Sequence, residues 1–204
     1  MCLQVKPSTI VFLSALVGPN GKRLAKNFWP NPKQEKEFCN GNVRVKCTHM
    51  DADRDHDTYE ILIWGPGQKK KDPGVKTNMI QFRKWTDDRY IPDNLLEFRA
   101  IVKINIVRAD KDEQRAGNCI MFVCPSGVHR CGTMAALDII LDRIAAEKKV
   151  GLIETITVLR KQRYGCFTHF EHYSHVADLI VRHAVSSGIV DPTCIGVRKK
   201  SNNA

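Results

Sequence analysis

The sequence predicts an α/β fold in which a twisted, mixed β-sheet is flanked by helices. In the first half, apolar and alternating segments of strand length are separated by turns rich in glycine and proline. In the second half, apolar residues recur at helical spacing, and one short apolar strand runs directly into a helix. A chain of 204 residues with 43% apolar content can bury one sizeable core. We therefore expect one domain over residues 1–190, followed by a basic tail over residues 191–204.

The first half contains four predicted strands. The longest, residues 8–17, is almost wholly apolar, so its length suits a buried strand, although such a run also resembles the apolar part of a signal peptide. Residues 43–47 alternate apolar and polar side chains, as a half-exposed antiparallel strand does. Residues 58–64 and 79–82 complete the set.

The second half alternates between one strand and four predicted helices. Apolar residues spaced three or four apart predict helices over residues 95–107, 132–148, 152–159 and 170–184. Between the first two lies an apolar strand over residues 118–123, which we expect at the centre of the sheet.

The charge balance favours anionic partners. Lys and Arg number 32 against 22 Asp and Glu, which gives a formal net charge of +10. The basic residues are scattered, with short runs only at residues 69–71 and 198–200, and no zinc-finger or RNA-binding pattern accompanies them. Phosphorylated proteins and acidic membrane surfaces both fit this charge, and nucleic acid is the weaker alternative. No apolar stretch approaches the roughly 20 residues that cross a bilayer, so membrane insertion is not expected.

The cysteines indicate a reducing compartment. Eight of them are irregularly spaced, and none forms a C-x-x-C pair typical of structural zinc. Disulfides are rare in the cytosol, and this pattern fits a cytoplasmic protein with free thiols.

Residues 118–141 form the segment that carries chemistry, a predicted strand, tight loop and helix. Cys124 ends the strand and Arg130 starts the helix. Such a junction directs backbone N–H groups and the positive end of the helix dipole to one point, which lowers the pKa of a cysteine there. Because only five residues separate Cys124 from Arg130, the loop can return the guanidinium to the same point, where its fork matches two phosphate oxygens.

Residues 123–133, Val-Cys-Pro-Ser-Gly-Val-His-Arg-Cys-Gly-Thr, resemble the signature of the protein-tyrosine phosphatases. Asn-Phe-Trp-Pro at residues 27–30 is similar to that family's aromatic-Trp-Pro segment. Trp-Thr-Asp at residues 85–87, with the following Pro92, resembles its mobile Trp-Pro-Asp loop. Residues 159–165 resemble its Leu-Arg-x-x-Arg segment. The four blocks occur in the family's order and span most of the chain.

The resemblance implies a site and a reaction that needs neither metal nor cofactor. Cys124 would attack the phosphorus of a phosphotyrosine-containing protein and form a cysteinyl-phosphate. Asp87 would protonate the leaving oxygen and then activate water, while Trp85 would serve as the hinge of its loop. Cys131, Thr168 and His172 would support these steps. The implied phosphate-binding residues are Pro125, Ser126, Gly127, Val128, His129 and Arg130.

Several positions depart from the family pattern. Val123 replaces the histidine before the nucleophile, Cys131 the hydroxyl residue after the arginine, and Thr86 the proline of the mobile loop. The two glutamines that position water align with Thr168 and His172. We therefore expect hydrolysis of the phosphoenzyme to suffer most.

Two more replacements concern residues that support Arg130 and the mobile loop. Pro19 aligns with the family's glutamate that orients the arginine, and Leu24 aligns with a lysine that contacts the mobile loop. The family's N-terminal helices and its tyrosine-bearing recognition loop have no counterpart in the sequence, which predicts a fold lacking that N-terminal part.

Three functions remain open at this level. The chain is either a slow tyrosine phosphatase or a pseudophosphatase that binds phosphoproteins as a scaffold. The third alternative is metal binding by His169, His172 and His175 near Cys166, because three-residue spacing places the histidines along one helical flank. A solvated helix face is the simpler explanation of that spacing.

Overall fold

A six-stranded mixed β-sheet with helices packed against it forms the framework of the computed structural model, which describes residues 1–110, 119–191 and 193. This confirms the predicted α/β class. The strands are β1 (Thr9–Phe12), β2 (Glu35–Phe38), β3 (Val43–Ala52), β4 (His56–Trp64), β5 (Val75–Phe82) and β6 (Ile120–Val123). The helices are α1 (Cys2–Val5), α2 (Leu95–Asp110), α3 (His129–Glu147), α4 (Leu152–Gln162) and α5 (Phe170–Ser186).

The sheet has an antiparallel half and a parallel half. Its strand order is β2-β3-β4-β5-β1-β6, in which β2 to β5 pair antiparallel while β1 lies parallel to both β5 and β6. Phe12 pairs with Val123 in register, and the Leu13 amide donates to the Val123 carbonyl at 2.8 Å. The carboxyl ends of β1 and β6 therefore emerge together.

The prediction that the strand before Cys124 is central was wrong. Within the described residues, β6 pairs with β1 alone and lies at the edge of the sheet, with all four of its residues half-buried. The central parallel strand is β1, whose four residues are all buried. Both strands are apolar, and apolar runs alone do not distinguish a central strand from an edge strand that a helix covers.

Alternate residues of β1 point into two separate cores, as the two-residue period of a strand requires. Val11 and the following Leu13 join the core that the helices cover, in which Phe82 stacks on Phe98 with ring centroids 4.1 Å apart. On the other face, Phe12 packs edge to face against Trp29, with ring centroids 5.4 Å apart. Burial on both faces explains why residues 8–17 contain so few polar side chains.

Most predicted elements are present, with shifted ends. The four predicted helices correspond to α2, α3, α4 and α5, and α3 begins at His129 rather than at residue 132. Of the strand predicted over residues 8–17, only Thr9–Phe12 form a β-strand.

Two elements were missed, and the tail stays a prediction. Sequence periodicity gave no sign of β2, an exposed strand, or of the four-residue α1. The predicted tail over residues 191–204 lies outside the described residues, except for Asp191 and Thr193. Among the described helices, none combines the length and apolar character needed to span a membrane.

Candidate active site

Cys124 occupies the turn between β6 and α3. Three residues later, Gly127 adopts a φ of +69°, which favours glycine, and its amide donates to the Cys124 carbonyl at 3.2 Å. The chain therefore folds back within four residues, and α3 begins at His129. The local sequence thus places a thiol, 7% exposed, beside the first turn of a helix.

Hydrogen bonds to sulfur lower the pKa of Cys124 from its ordinary value of 9.0 to about 5. The largest contribution comes from the Cys131 thiol, and the Cys131 amide, the Ser126 hydroxyl and the Gly127 amide add to it, while burial opposes the shift. Donation to the neighbouring sulfur, together with burial, raises the pKa of Cys131. Cys124 is therefore a thiolate at neutral pH, held by a thiol that stays protonated.

The backbone amides that the sequence predicts to face an anion are partly hydrogen-bonded to a side chain of their own loop. The Val128 and His129 amides donate to the Ser126 hydroxyl at 3.4 and 3.2 Å, and this oxygen lies 3.6 Å from Cys124 Sγ. Ser126 thus satisfies free N–H groups at the start of α3, as serine does at helix N-termini. For these two amides to meet an anion, they must leave the Ser126 hydroxyl. Pro125, which has no amide hydrogen, is exposed.

Arg130 is buried, with 3% exposure, and is anchored through one nitrogen. Its Nη1 donates to the Leu13 carbonyl at 3.1 Å, to the Ser14 hydroxyl at 2.8 Å and to the Trp85 carbonyl at 2.8 Å. The sequence gave no indication of the role of Ser14, which follows β1 and reaches Arg130 because β1 and β6 end together.

The Nε side of the Arg130 guanidinium is buried against Asp88. Nε lies 2.8 Å from Asp88 Oδ1, but its N–H does not point at that oxygen, so the contact is an ion pair and not a hydrogen bond. No hydrogen bond from Nη2 is found within the described residues. Nε and Nη2 form one edge of the planar fork, and that edge matches two oxygens of an oxyanion.

The acid loop, residues 85–88, does not have the geometry that the sequence predicts. Asp87 is exposed, and its carboxylate accepts a hydrogen bond from the Arg89 amide at 2.7 Å, whereas Asp88 is the residue that reaches Arg130. Trp85, which begins the loop, is fully buried. The two adjacent aspartates were the signal in the sequence, but only the backbone path between Trp85 and Asp88 decides which of them turns inward.

Three imidazoles lie together at the start of α3 and α5. The ring centroids of His129, His169 and His172 are 5.2 to 6.2 Å apart. His172 is fully buried and contacts the Asp88 carbonyl through Nε2, so the prediction of a solvated helix face is wrong for this residue. Thr168 is exposed, and its hydroxyl lies 3.4 Å from His129 Nδ1.

The alternative metal site is not found in the described part of the chain, where no three His, Cys, Asp or Glu side chains are placed to share an ion. His175 instead bonds through Nδ1 to the Glu171 carbonyl of its own helix at 3.0 Å. The third histidine near His172 is therefore His129, which a search along one helix could not find.

The Leu-Arg-x-x-Arg segment supports the thiolate loop from outside. Arg163 donates through Nε to the Gly127 carbonyl at 3.4 Å. A Cβ placed on Gly132 would lie 2.9 Å from Cys166 Sγ, so the glycine lets α3 approach the segment that precedes α5. Two blocks that are distant in sequence thus meet at the loop.

Comparison with known proteins agrees with this geometry. The family model described as protein-tyrosine phosphatase matches residues 1–182. The chain belongs to the protein-tyrosine phosphatase family. It is 24% identical over 163 residues to tyrosine-protein phosphatase corkscrew of Drosophila melanogaster, covering 76% of this chain and 18% of that protein.

Two further relatives show the same pattern. The chain is 23% identical over 170 residues to probable tyrosine phosphatase protein N1 of Microplitis demolitor bracovirus (isolate Webb), covering 81% of this chain and 52% of the relative. It is 26% identical over 185 residues to human receptor-type tyrosine-protein phosphatase C, covering 88% of this chain and 14% of the relative. The chain thus spans about half or less of the length of these tyrosine phosphatases.

Proposed function

We propose that this tyrosine-phosphatase domain hydrolyses phosphotyrosine in proteins, slowly, through a cysteinyl-phosphate. The observation that carries the proposal is the presence on one loop of a thiolate at Cys124, whose pKa lies near 5, and of Arg130, whose Nε forms an ion pair with Asp88 and makes no hydrogen bond. A nucleophile and an oxyanion clamp on one loop are the two groups that phosphoryl transfer to a thiol requires.

In the first step, Cys124 Sγ attacks phosphorus while the bond from phosphorus to the tyrosine oxygen breaks. The Asp88 carboxylate moves away from Nε, and Arg130 then binds two equatorial oxygens through Nε and Nη2, which stabilises the charge of the transition state. Asp87, as the protonated carboxylic acid, donates its proton to the leaving tyrosine oxygen and becomes a carboxylate; its side chain is exposed and is not bound to Arg130. The remaining phosphate-binding contacts come from the loop of residues 125–130.

In the second step, water attacks the phosphorus of the cysteinyl-phosphate. Asp87 accepts a proton from that water, the sulfur–phosphorus bond breaks, and inorganic phosphate and the Cys124 thiolate are released. The side chain of Cys131 supports the leaving thiolate through a thiol, which donates more weakly than a hydroxyl. This step is therefore the slow one.

A pseudophosphatase that retains phosphoproteins is the second candidate, and one observation favours it. The two positions aligned with water-positioning glutamines are engaged elsewhere, Thr168 with His129 and His172 with the Asp88 carbonyl. Neither is free to direct a water at the phosphoenzyme. The anion site would then persist while turnover is lost.

The decisive experiment follows release of phosphate from a phosphotyrosine peptide by the wild type and by the Cys124→Ser variant. We expect slow multiple turnover by the wild type, and a loss of at least about 10³-fold in the variant. Equal release by both proteins would remove the enzyme proposal. A single burst that stays on Cys124 as a stable phosphoenzyme, detected by intact mass, would establish the pseudophosphatase.

We place the protein in the cytoplasm, with phosphotyrosine-bearing proteins as partners. The formal charge of +10 supports attraction of such anionic partners. The seven cysteines within the described residues are all free thiols, which fits a reducing compartment.

A further inference from the structure

The acid loop is fixed by contacts with three distant segments. The Trp85 carbonyl accepts from Arg130 Nη1 at 2.8 Å and from the Ala15 amide at 3.4 Å, which joins the loop to α3 and to the end of β1. The Asp88 carboxylate pairs with Arg130, and the Asp88 carbonyl contacts His172 of α5. Of these contacts, the His172 contact is the one made by an imidazole, the side chain whose ordinary pKa lies near neutral pH.

The surroundings of His172 define its protonation state. A carbonyl oxygen can only accept, so Nε2 carries the proton in the contact with Asp88. Nδ1 is buried and has no hydrogen-bond partner among the residues that the structure describes. A second proton on Nδ1 would create a buried donor without an acceptor, at a position that solvent does not reach. The geometry therefore requires a neutral imidazole.

We propose that His172 is a positioning residue that tethers the acid loop over the anion site through the Asp88 carbonyl, and that it does so only while its ring is neutral. This inference rests on the proposed function, because the loop carries the proposed general acid Asp87. His172 touches neither the substrate nor the reacting atoms. It acts through the backbone of Asp88.

The groups around His172 favour its neutral form. Burial, first, and then the neighbouring His169 and His129 lower the pKa of His172, while the Asp88 carbonyl and carboxylate oppose this effect. His129 comes from the start of α3, His169 precedes α5, and Asp88 belongs to the loop. The tether is therefore kept below the ordinary histidine pKa of 6.5 and is lost only where acid protonates His172 itself.

The test is hydrogen–deuterium exchange of a peptide that spans residues 83–94, corrected for intrinsic rates. His172→Leu removes the donor, and we expect this peptide to exchange about fivefold faster than in the wild type at pH 7.5. His172→Gln keeps a donor near the Nε2 position but cannot titrate. It should protect the loop as the wild type does at pH 7.5 and retain that protection in an acid titration through the pH, below 6.5, at which the wild type loses it.

His175→Gln is the matched control, because His175 lies one turn along α5 and bonds within its own helix. It should leave exchange of the loop unchanged. The proposal is overturned if His172→Leu folds and protects the loop fully, or if the wild type and His172→Gln respond identically throughout the acid titration. Turnover is measured in parallel. If no variant turns over phosphotyrosine, the proposed function fails, whereas exchange still decides the tether.

Discussion

The two loops that form the site are stabilised in different ways. The thiolate loop, residues 124–130, is stabilised mostly within itself: the Ser126 hydroxyl and the Gly127 amide both contact groups of Cys124, and α3 follows directly. The acid loop, residues 85–88, makes its contacts with the end of β1, with Arg130 and with His172. Local contacts form one loop and long-range contacts form the other.

This difference explains where the family pattern has been kept. A loop whose hydrogen bonds close over a few residues depends on a short motif, and that motif is recognisable here. A loop that is stabilised by contacts with distant segments can keep its position when individual contact residues change, provided that other residues of those segments replace the lost contacts. Asp88 and His172 illustrate such replacements. Arg130 takes part in both loops, because it lies in the first turn of α3 and also binds the acid loop.

The largest expected effect comes from breaking that link with Arg130→Lys. A lysine carries one ammonium and no planar fork. The variant therefore loses both the hydrogen bonds of Nη1 and the Nε–Nη2 edge that would bind an oxyanion. We expect kcat/KM for a phosphotyrosine peptide to fall by about 10²–10³-fold. Arg182→Lys on the exposed side of α5 is the control and should behave as the wild type. Equal losses in both variants would mean that the guanidinium has no special place in the reaction.

The next effect isolates the thiolate loop through Cys131. Cys131→Ala removes the principal donor to Cys124 Sγ, so the pKa of Cys124 should rise above its value of about 5. Cys131→Ser supplies a hydroxyl donor and should keep that pKa low. The rate at which iodoacetamide alkylates Cys124, followed by mass spectrometry as a function of pH, measures the Cys124 pKa in both variants. An unchanged pH profile in Cys131→Ala would show that sulfur-to-sulfur donation does not stabilise the thiolate.

The pH dependence of stability should report the same thiolate. The pKa of Cys124 in the folded chain is lowered to about 5 from an ordinary value of 9.0, so between these values the unfolded chain binds a proton that the folded chain does not. The free energy of unfolding should therefore rise from pH 5 to pH 9. The contribution of Cys124 to it should be lost on acidification. Cys124→Ser should flatten this rise when urea denaturation is repeated across the range. Identical slopes in the two proteins would contradict the lowered pKa.

The smallest expected effect concerns the cap within the thiolate loop. Ser126→Ala removes the acceptor of the Val128 and His129 amides, and we expect unfolding free energy to fall by about 1 kcal/mol. Ser186→Ala, at the exposed end of α5, should change stability less. Urea denaturation compares the two, and a larger loss in Ser186→Ala would argue against a capping role for Ser126.

The sequence located the thiolate site because the motif and its structure are both local. The spacing of Cys124 and Arg130 predicted a strand, a loop and a helix, and the structure has all three, with α3 starting at His129. It did not indicate that Asp88 would reach Arg130, since neighbouring residues of an irregular loop have no fixed period to decide which side chain turns inward.

Composition, periodicity and the spacing of one motif were enough to determine the α/β class, the four long helices and the strand, loop and helix that carry Cys124 and Arg130. They could do so because these features depend on which residues are apolar over a few turns or strands. Only the tertiary structure decided that β6 is an edge strand, that Ser14 anchors Arg130 and that His172 is buried against the Asp88 carbonyl. Each of these joins residues far apart in the chain, and such contacts follow from packing rather than from local sequence.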